Sequence, residues 1–205
     1  MNPAGSPSQD EPTERSLGDE YDRLRCENRR RFRRRMVTVG VVLLAAAGVE
    51  WRRQIGVAIA GRWYAAKSGG STIDAEAAVR ALDRDAVLIL DVRSPEEYAV
   101  SHLRGARSLP LARLRSGGWP QRWPVNRPII AYCTVGYRSG LAVELLAQAG
   151  LEARNLRGGI LAVAQAGEPL VDAAGETRRV HTWSESLAWM LPADYEATWS
   201  SGGGE

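Results

Sequence analysis

The stretch Pro128-Ile129-Ile130-Ala131-Tyr132-Cys133-Thr134-Val135-Gly136-Tyr137-Arg138-Ser139 decides how this chain reads. Its first half is a near-continuous apolar run that ends at a cysteine, the pattern of a strand buried on both faces of a sheet. A short loop follows, and the spacing predicts a helix from Arg138 or Ser139 to Ala149, ended by Gly150. In open parallel sheets, sites form beyond the carboxyl ends of strands. The N–H groups of such a loop, backed by the positive end of the next helix, make a nest for an anion. A sulfur in that cradle has its thiolate stabilised, which marks Cys133 as the candidate nucleophile. Gly136 suits a position that needs a positive φ, and Arg138 adds fixed charge and a fork of donors for an oxyanion. Nothing in this group calls for a metal.

Outward from that loop, strands alternate with helices. Ala86–Val92 is a second buried strand, and Ser94-Pro95-Glu96-Glu97 carries a capping box with proline at the first helical position. Asp74 can cap a helix to Leu82; Arg107–Leu109 and Ala153–Leu156 suit short strands; Gly159–Ala166 suits a helix stopped by Gly167. This alternation predicts an α/β fold, an open parallel sheet with helices on both faces.

Four motifs in order make the reading more specific. They are Asp91-Val92-Arg93 with Pro95-Glu96-Glu97-Tyr98, His102-Leu103-Arg104-Gly105-Ala106, the Cys133 loop, and Leu156-Arg157-Gly158-Gly159 with Gly167. Together, from about Ile73 to Val171, they resemble the rhodanese (sulfurtransferase) domain. The resemblance implies a single such domain, built on a five-stranded parallel sheet, without a cofactor and with Cys133 as the sulfur carrier. It implies a substrate loop of Thr134, Val135, Gly136, Tyr137, Arg138 and Ser139, with Asp91, Arg93 and His102 as structural support. The expected reaction moves a sulfane sulfur from thiosulfate or a persulfide donor onto Cys133. A thiol, cyanide or a protein acceptor then removes it. Arg138 is the loop's one cation, which makes a persulfide donor credible beside thiosulfate. A competing reading is a rhodanese-like binding module at a membrane with little catalysis. Phosphatases of the same architecture use Cys-x5-Arg to enclose a tetrahedral phosphate, and the four-residue interval here favours sulfur.

Composition bounds the rest. At 205 residues, 44% hydrophobic and 25% charged, the chain holds one ordinary domain plus extras. A net charge of +3 makes no case for a nucleic-acid partner. The two cysteines cannot build a disulfide framework, and Cys26 reads as incidental. Residues 1–35 carry seven acids and nine arginines without hydrophobic period, which predicts a disordered tail. Residues 36–64 read as an apolar or amphipathic anchor or signal segment, flanked by Arg29–Arg31 and Arg33–Arg35. That reading places the protein at a membrane through one N-terminal anchor, or exported, with the cytoplasm as the alternative. Ser68-Gly69-Gly70-Ser71 reads as a linker, residues 68–172 as the domain, and 173–205 as a Trp-containing extension. In the extension Trp183, Leu187 and Met190 fall at helical spacing, a stripe for its own domain, a partner or a membrane. His181 lies outside the four motifs and is assigned no role.

Overall fold

The computed structural model describes residues 14–68, 70–83, 86–118 and 127–199. Its centre is a five-stranded, wholly parallel sheet of β1 (Thr72–Ile73), β2 (Leu88–Asp91), β4 (Arg107–Ser108), β5 (Ile129–Tyr132) and β6 (Ala153–Leu156). The spatial order is β1-β6-β5-β2-β4. Strand periodicity divides the apolar residues between two cores. Ile89, Ile130 and Tyr132 face one side, where α2 (Ala75–Asp83) and α6 (Gly159–Gln165) pack. Leu88, Leu90, Ile129, Ala131 and Cys133 face the other, against α4 (Leu111–Arg115) and α5 (Tyr137–Gln148). Both central strands are therefore apolar on both faces, with Asp91 at the end of β2 the one charged exception, and the fold is the expected α/β one with helices on both faces.

The capping box opens α3 (Pro95–Val100) as expected. Ser94 Oγ accepts from the Glu97 N–H, and Glu97 accepts from the Ser94 N–H. A small antiparallel sheet joins β3 (His102–Leu103), β7 (Leu170–Asp172) and β8 (Gly175–Thr177). The extension then forms β9 (Arg179–His181), a 3-10 helix (Glu185–Met190) and β10 (Glu196–Thr198), with β9 and β10 parallel. Trp183 stands before that helix at φ 66°, so the anticipated stripe is shortened. Met190 and Leu191 are buried in the core beside Val180, while Trp183 and Trp189 stay about half exposed.

At the N-terminal end, α1 runs from Glu14 to Ser68. Residues 1–13 of the expected tail and Gly69 of the linker lie outside the described residues. From Glu14 the tail is helical, which its low hydrophobicity did not announce. Arg, Glu and Leu are strong helix formers, and residues 14–35 contain no proline. The chain divides into two compact units, residues 1–49 and 50–205, so the last turns of α1 belong to the domain. Val57 is 3% exposed in the domain core, with Ala60 and Tyr64 packed beside it.

The membrane reading is corrected here. Among the described residues, no helix is long and apolar enough to cross a membrane. The apolar run Met36–Val49 falls short of the about 20 residues a span requires. It is bracketed by Arg33–Arg35 and by Glu50, Arg52 and Arg53 on the same helix. The single N-terminal anchor is therefore not supported, and the membrane-associated localisation drawn from it is corrected.

Candidate active site

The register of the central strands sets Asp91 of β2 beside Tyr132 of β5, so the motifs that follow both strands share one sheet edge. Cys133 is the next residue, 1% exposed. The first turn of α6 holds its loop: the Ile160 N–H donates to the Cys133 carbonyl at 2.9 Å, and Leu161 to that of Thr134 at 3.3 Å. This approach requires glycine, since a Cβ on Gly159 would lie 2.2 Å from the Cys133 carbonyl oxygen. Gly136 turns the chain at φ 108° into α5, and no side chain caps that helix. The orphan N–H groups of its first turn therefore face the loop without a side-chain acceptor.

Two groups meet the sulfur. The Gly136 N–H lies 3.2 Å from Cys133 Sγ and the Ser139 hydroxyl 3.5 Å. Ser139 Oγ also donates to Asn155 Oδ1 at 2.7 Å, while Asn155 Nδ2 donates to the Gly136 carbonyl at 2.8 Å. A hydroxyl has one proton to give, and the shorter contact places it on Asn155. Asn155 thus ties loop and helix together from the buried strand β6.

Arg138 was expected to present its fork to an oxyanion; its terminal nitrogens instead bond both oxygens of Glu97, at 2.6 and 2.7 Å. Nη2 also reaches Thr134 Oγ1, and the Thr134 hydroxyl donates to Glu97 Oε1. Burial alone would push the Glu97 carboxyl up, but the Arg138 bonds and charge outweigh it and hold it below the usual carboxylate range. His181 of β9 brings Nδ1 to 3.9 Å from Glu97 and accepts the Trp183 N–H at 3.2 Å. Burial, against the pull of Glu97, holds this imidazole below its ordinary value, and an accepting Nδ1 fits the neutral ring.

Asp91 and Arg93 form a fully buried pair at the end of β2. Arg93 Nε and Nη2 both bond the carboxylate, and Nη2 also reaches the Ser101 carbonyl at 2.6 Å. His102 stacks on Tyr98 at 3.8 Å and bonds its carbonyl. It lines neither of two cavities at the sheet edge. The larger, about 960 Å³, borders Glu97, Arg138 and His181 but not the cysteine. The smaller, about 470 Å³, reaches Cys133, Thr134 and Val135. Its outer wall comes from α1, through Trp63, Tyr64 and Lys67, and from the extension, through Trp183, Ser184 and Leu187. Among the described residues, no three of His, Cys, Asp or Glu are grouped to hold a metal.

Sequence reasoning placed the loop and missed its supports. Glu97 was legible as a cap but not as the partner of Arg138, and His181 carried no signal. Asn155 did carry one, a polar residue in a short buried strand, which must find partners.

A sequence model of the Rhodanese-like domain matches residues 74–166. A sulfurtransferase of Allochromatium vinosum is 37% identical over 108 residues, covering 50% of this chain and 96% of that protein. The chain belongs to the rhodanese family. Thiosulfate sulfurtransferase PspE of Escherichia coli is 32% identical over 75 residues, 37% of this chain and 72% of that one. An uncharacterised protein of Synechocystis is 43% identical over 89 residues, 43% of this chain. The match spans about half of that protein's length, 49%. The family model's residues 74–166 leave α1 and the extension from residue 173 outside the rhodanese domain proper.

Proposed function

We propose that this rhodanese is a sulfurtransferase that carries sulfane sulfur as a persulfide on Cys133. The observation that carries the reading is the sulfur's position at the end of β5, with the Gly136 N–H directed at it ahead of the uncapped start of α5. The sulfurtransferase names of its Allochromatium and Escherichia relatives support it. In the first half-reaction the Cys133 thiolate attacks the sulfane sulfur of a donor. A new S–S bond forms at Sγ, and the donor's own bond to that sulfur breaks with its electron pair leaving on the donor. Sulfite is the leaving group from thiosulfate, and a thiolate is the leaving group from a persulfide. In the second, an acceptor thiolate or cyanide attacks the outer sulfur and regenerates the Cys133 thiolate. The loop amides from Thr134 to Ser139 stabilise the anionic persulfide without reorganising. Arg138, held by Glu97, keeps the loop in shape. Two half-reactions through one covalent intermediate give ping-pong kinetics.

Intact mass spectrometry of the full chain tests this, after incubation with thiosulfate or an organic persulfide and then with cyanide. The expected result is a gain of one sulfur that cyanide removes and that Cys133→Ser lacks. No gain from either donor on folded protein would overturn it in favour of a binding module.

A further inference from the structure

The cavity over Cys133 differs in composition from the loop beneath it. Its floor is the rhodanese loop, whereas its walls come from two segments flanking the matched domain. Trp63 and Tyr64 stand on α1, and Trp183 and Leu187 on the extension. Tyr64 meets the loop's own Tyr137 at 5.6 Å between ring centroids, so the aromatic surface continues from α1 to the loop. Two cations line this space, Arg138 and Lys67. Arg138 is neutralised by its two-point bond to Glu97. Lys67 is exposed and rests its ammonium 5.0 Å from the Trp63 ring and 5.9 Å from that of Tyr137. Among the described residues, no carboxylate lines the cavity, and the contacts of Lys67 are with the two aromatic rings.

We propose that this wall is a binding subsite for the organic body of the sulfur donor. The donor is then a low-molecular-weight organic persulfide, R–S–SH, whose R group lies on the aromatic wall and whose carboxylate meets Lys67. The inference rests on the persulfide-carrier reading and adds the class of donor. Three observations point the same way. About 470 Å³ is room for an organic molecule, within the usual range of small-ligand sites. Aromatic faces reward apolar surface, which a compact inorganic dianion lacks. One uncompensated ammonium matches one carboxylate better than it matches the two charges of thiosulfate. In the transfer, the bond between Cys133 Sγ and the terminal sulfur forms as the R–S–SH sulfur–sulfur bond breaks. The electron pair leaves on R–S⁻, the proton stays on the transferred sulfur, and nothing is oxidised or reduced overall.

The test compares persulfidation of Cys133 in the full chain by thiosulfate, by N-acetylcysteine persulfide and by the carboxamide of that persulfide. Rates are read by intact mass. The carboxylate donor is expected to exceed thiosulfate in kcat/KM by at least about tenfold, the order of one good charged contact. It is expected to exceed its carboxamide as well, and Lys67→Gln should bring the carboxylate-to-carboxamide ratio down to about one. Lys67 is the chain's one lysine. N-acetylcysteine should therefore slow acylation of that single side chain by an amine reagent, a readout independent of turnover. Faster transfer from thiosulfate, or a carboxylate-to-carboxamide ratio unmoved by Lys67→Gln, would overturn the donor assignment and leave the persulfide carrier standing. Absence of any sulfur on Cys133 from all three donors would overturn both.

Discussion

Glu97 does more than cap a helix. One carboxylate closes the capping box of α3, holds both arms of Arg138, accepts the Thr134 hydroxyl and faces His181. Glu97→Gln keeps the shape but removes the charge that compensates Arg138. Breaking a fully buried pair costs about 3–5 kcal/mol, and the 19% exposure of the Arg138 side chain brings the expected loss to roughly 2–3 kcal/mol. A denaturant titration reads that loss, together with a lower rate of Cys133 persulfidation. The pH dependence has a defined sign. Glu97 is depressed in the folded state, so its stabilisation is present above the ordinary carboxylate value and is lost as pH falls through the lower folded one. His181 is also depressed, so the unfolded chain binds its proton first and stability starts to fall just below the ordinary imidazole value of about 6.5. His181→Gln should flatten the upper part of the acid limb, and Glu97→Gln the lower part. A midpoint-against-pH curve unchanged in both variants would contradict this assignment.

Among the elements, three glycines set how closely neighbouring segments pack, and the atoms they meet rank them. A Cβ on Gly159 would meet the Cys133 carbonyl at 2.2 Å and the Thr134 carbonyl at 2.5 Å, both backbone, at a φ of 57° that disfavours side chains. On Gly61 of α1 it would meet the Gly158 nitrogen at 2.8 Å. On Gly56 it would strike the Trp189 ring at 2.3 Å, the far end of a side chain that is 48% exposed and can swing away. Alanine should therefore destabilise most at Gly159 and least at Gly56. Overpacking of about 1–3 kcal/mol is expected at Gly61. Melting temperatures of the three variants check the order, and Gly159→Ala should also slow persulfidation, because the loop moves with α6.

Across the whole molecule, the domain extends beyond the stretch that resembles its family. Residues from Glu50 onward fold with it, Val57 is buried in its core, and Gln165 donates to the carbonyls of both Arg53 and Met190. A chain beginning at Glu50 should unfold cooperatively with the stability of the full protein. One beginning at Ser71 should lose several kcal/mol, since burying a residue such as Val57 alone contributes about 1.5–3 kcal/mol. Equal denaturation midpoints for the two pieces would show that the last turns of α1 are dispensable.

The local grammar of the chain was enough to determine the α/β alternation, the loop between β5 and α5, the capping box and the place of Cys133 at the end of a buried strand. Each is written in contiguous residues: apolar runs make buried strands, Ser94 to Glu97 close a cap on themselves, and Gly136 turns a strand into a helix. The fate of Arg138 could not be read that way, because its partner Glu97 lies 41 residues off and only the sheet order brings them together. Nor could His181, Asn155 or the wall of Trp63, Tyr64 and Lys67. Apolar character misled in the other direction, since the run Met36–Val49 reads as an anchor while it is too short, and its helix too charged at both flanks, to span. Tertiary structure decided what surrounds the sulfur, for a physical reason: contacts between segments distant in sequence depend on how layers pack, and no local pattern encodes that packing.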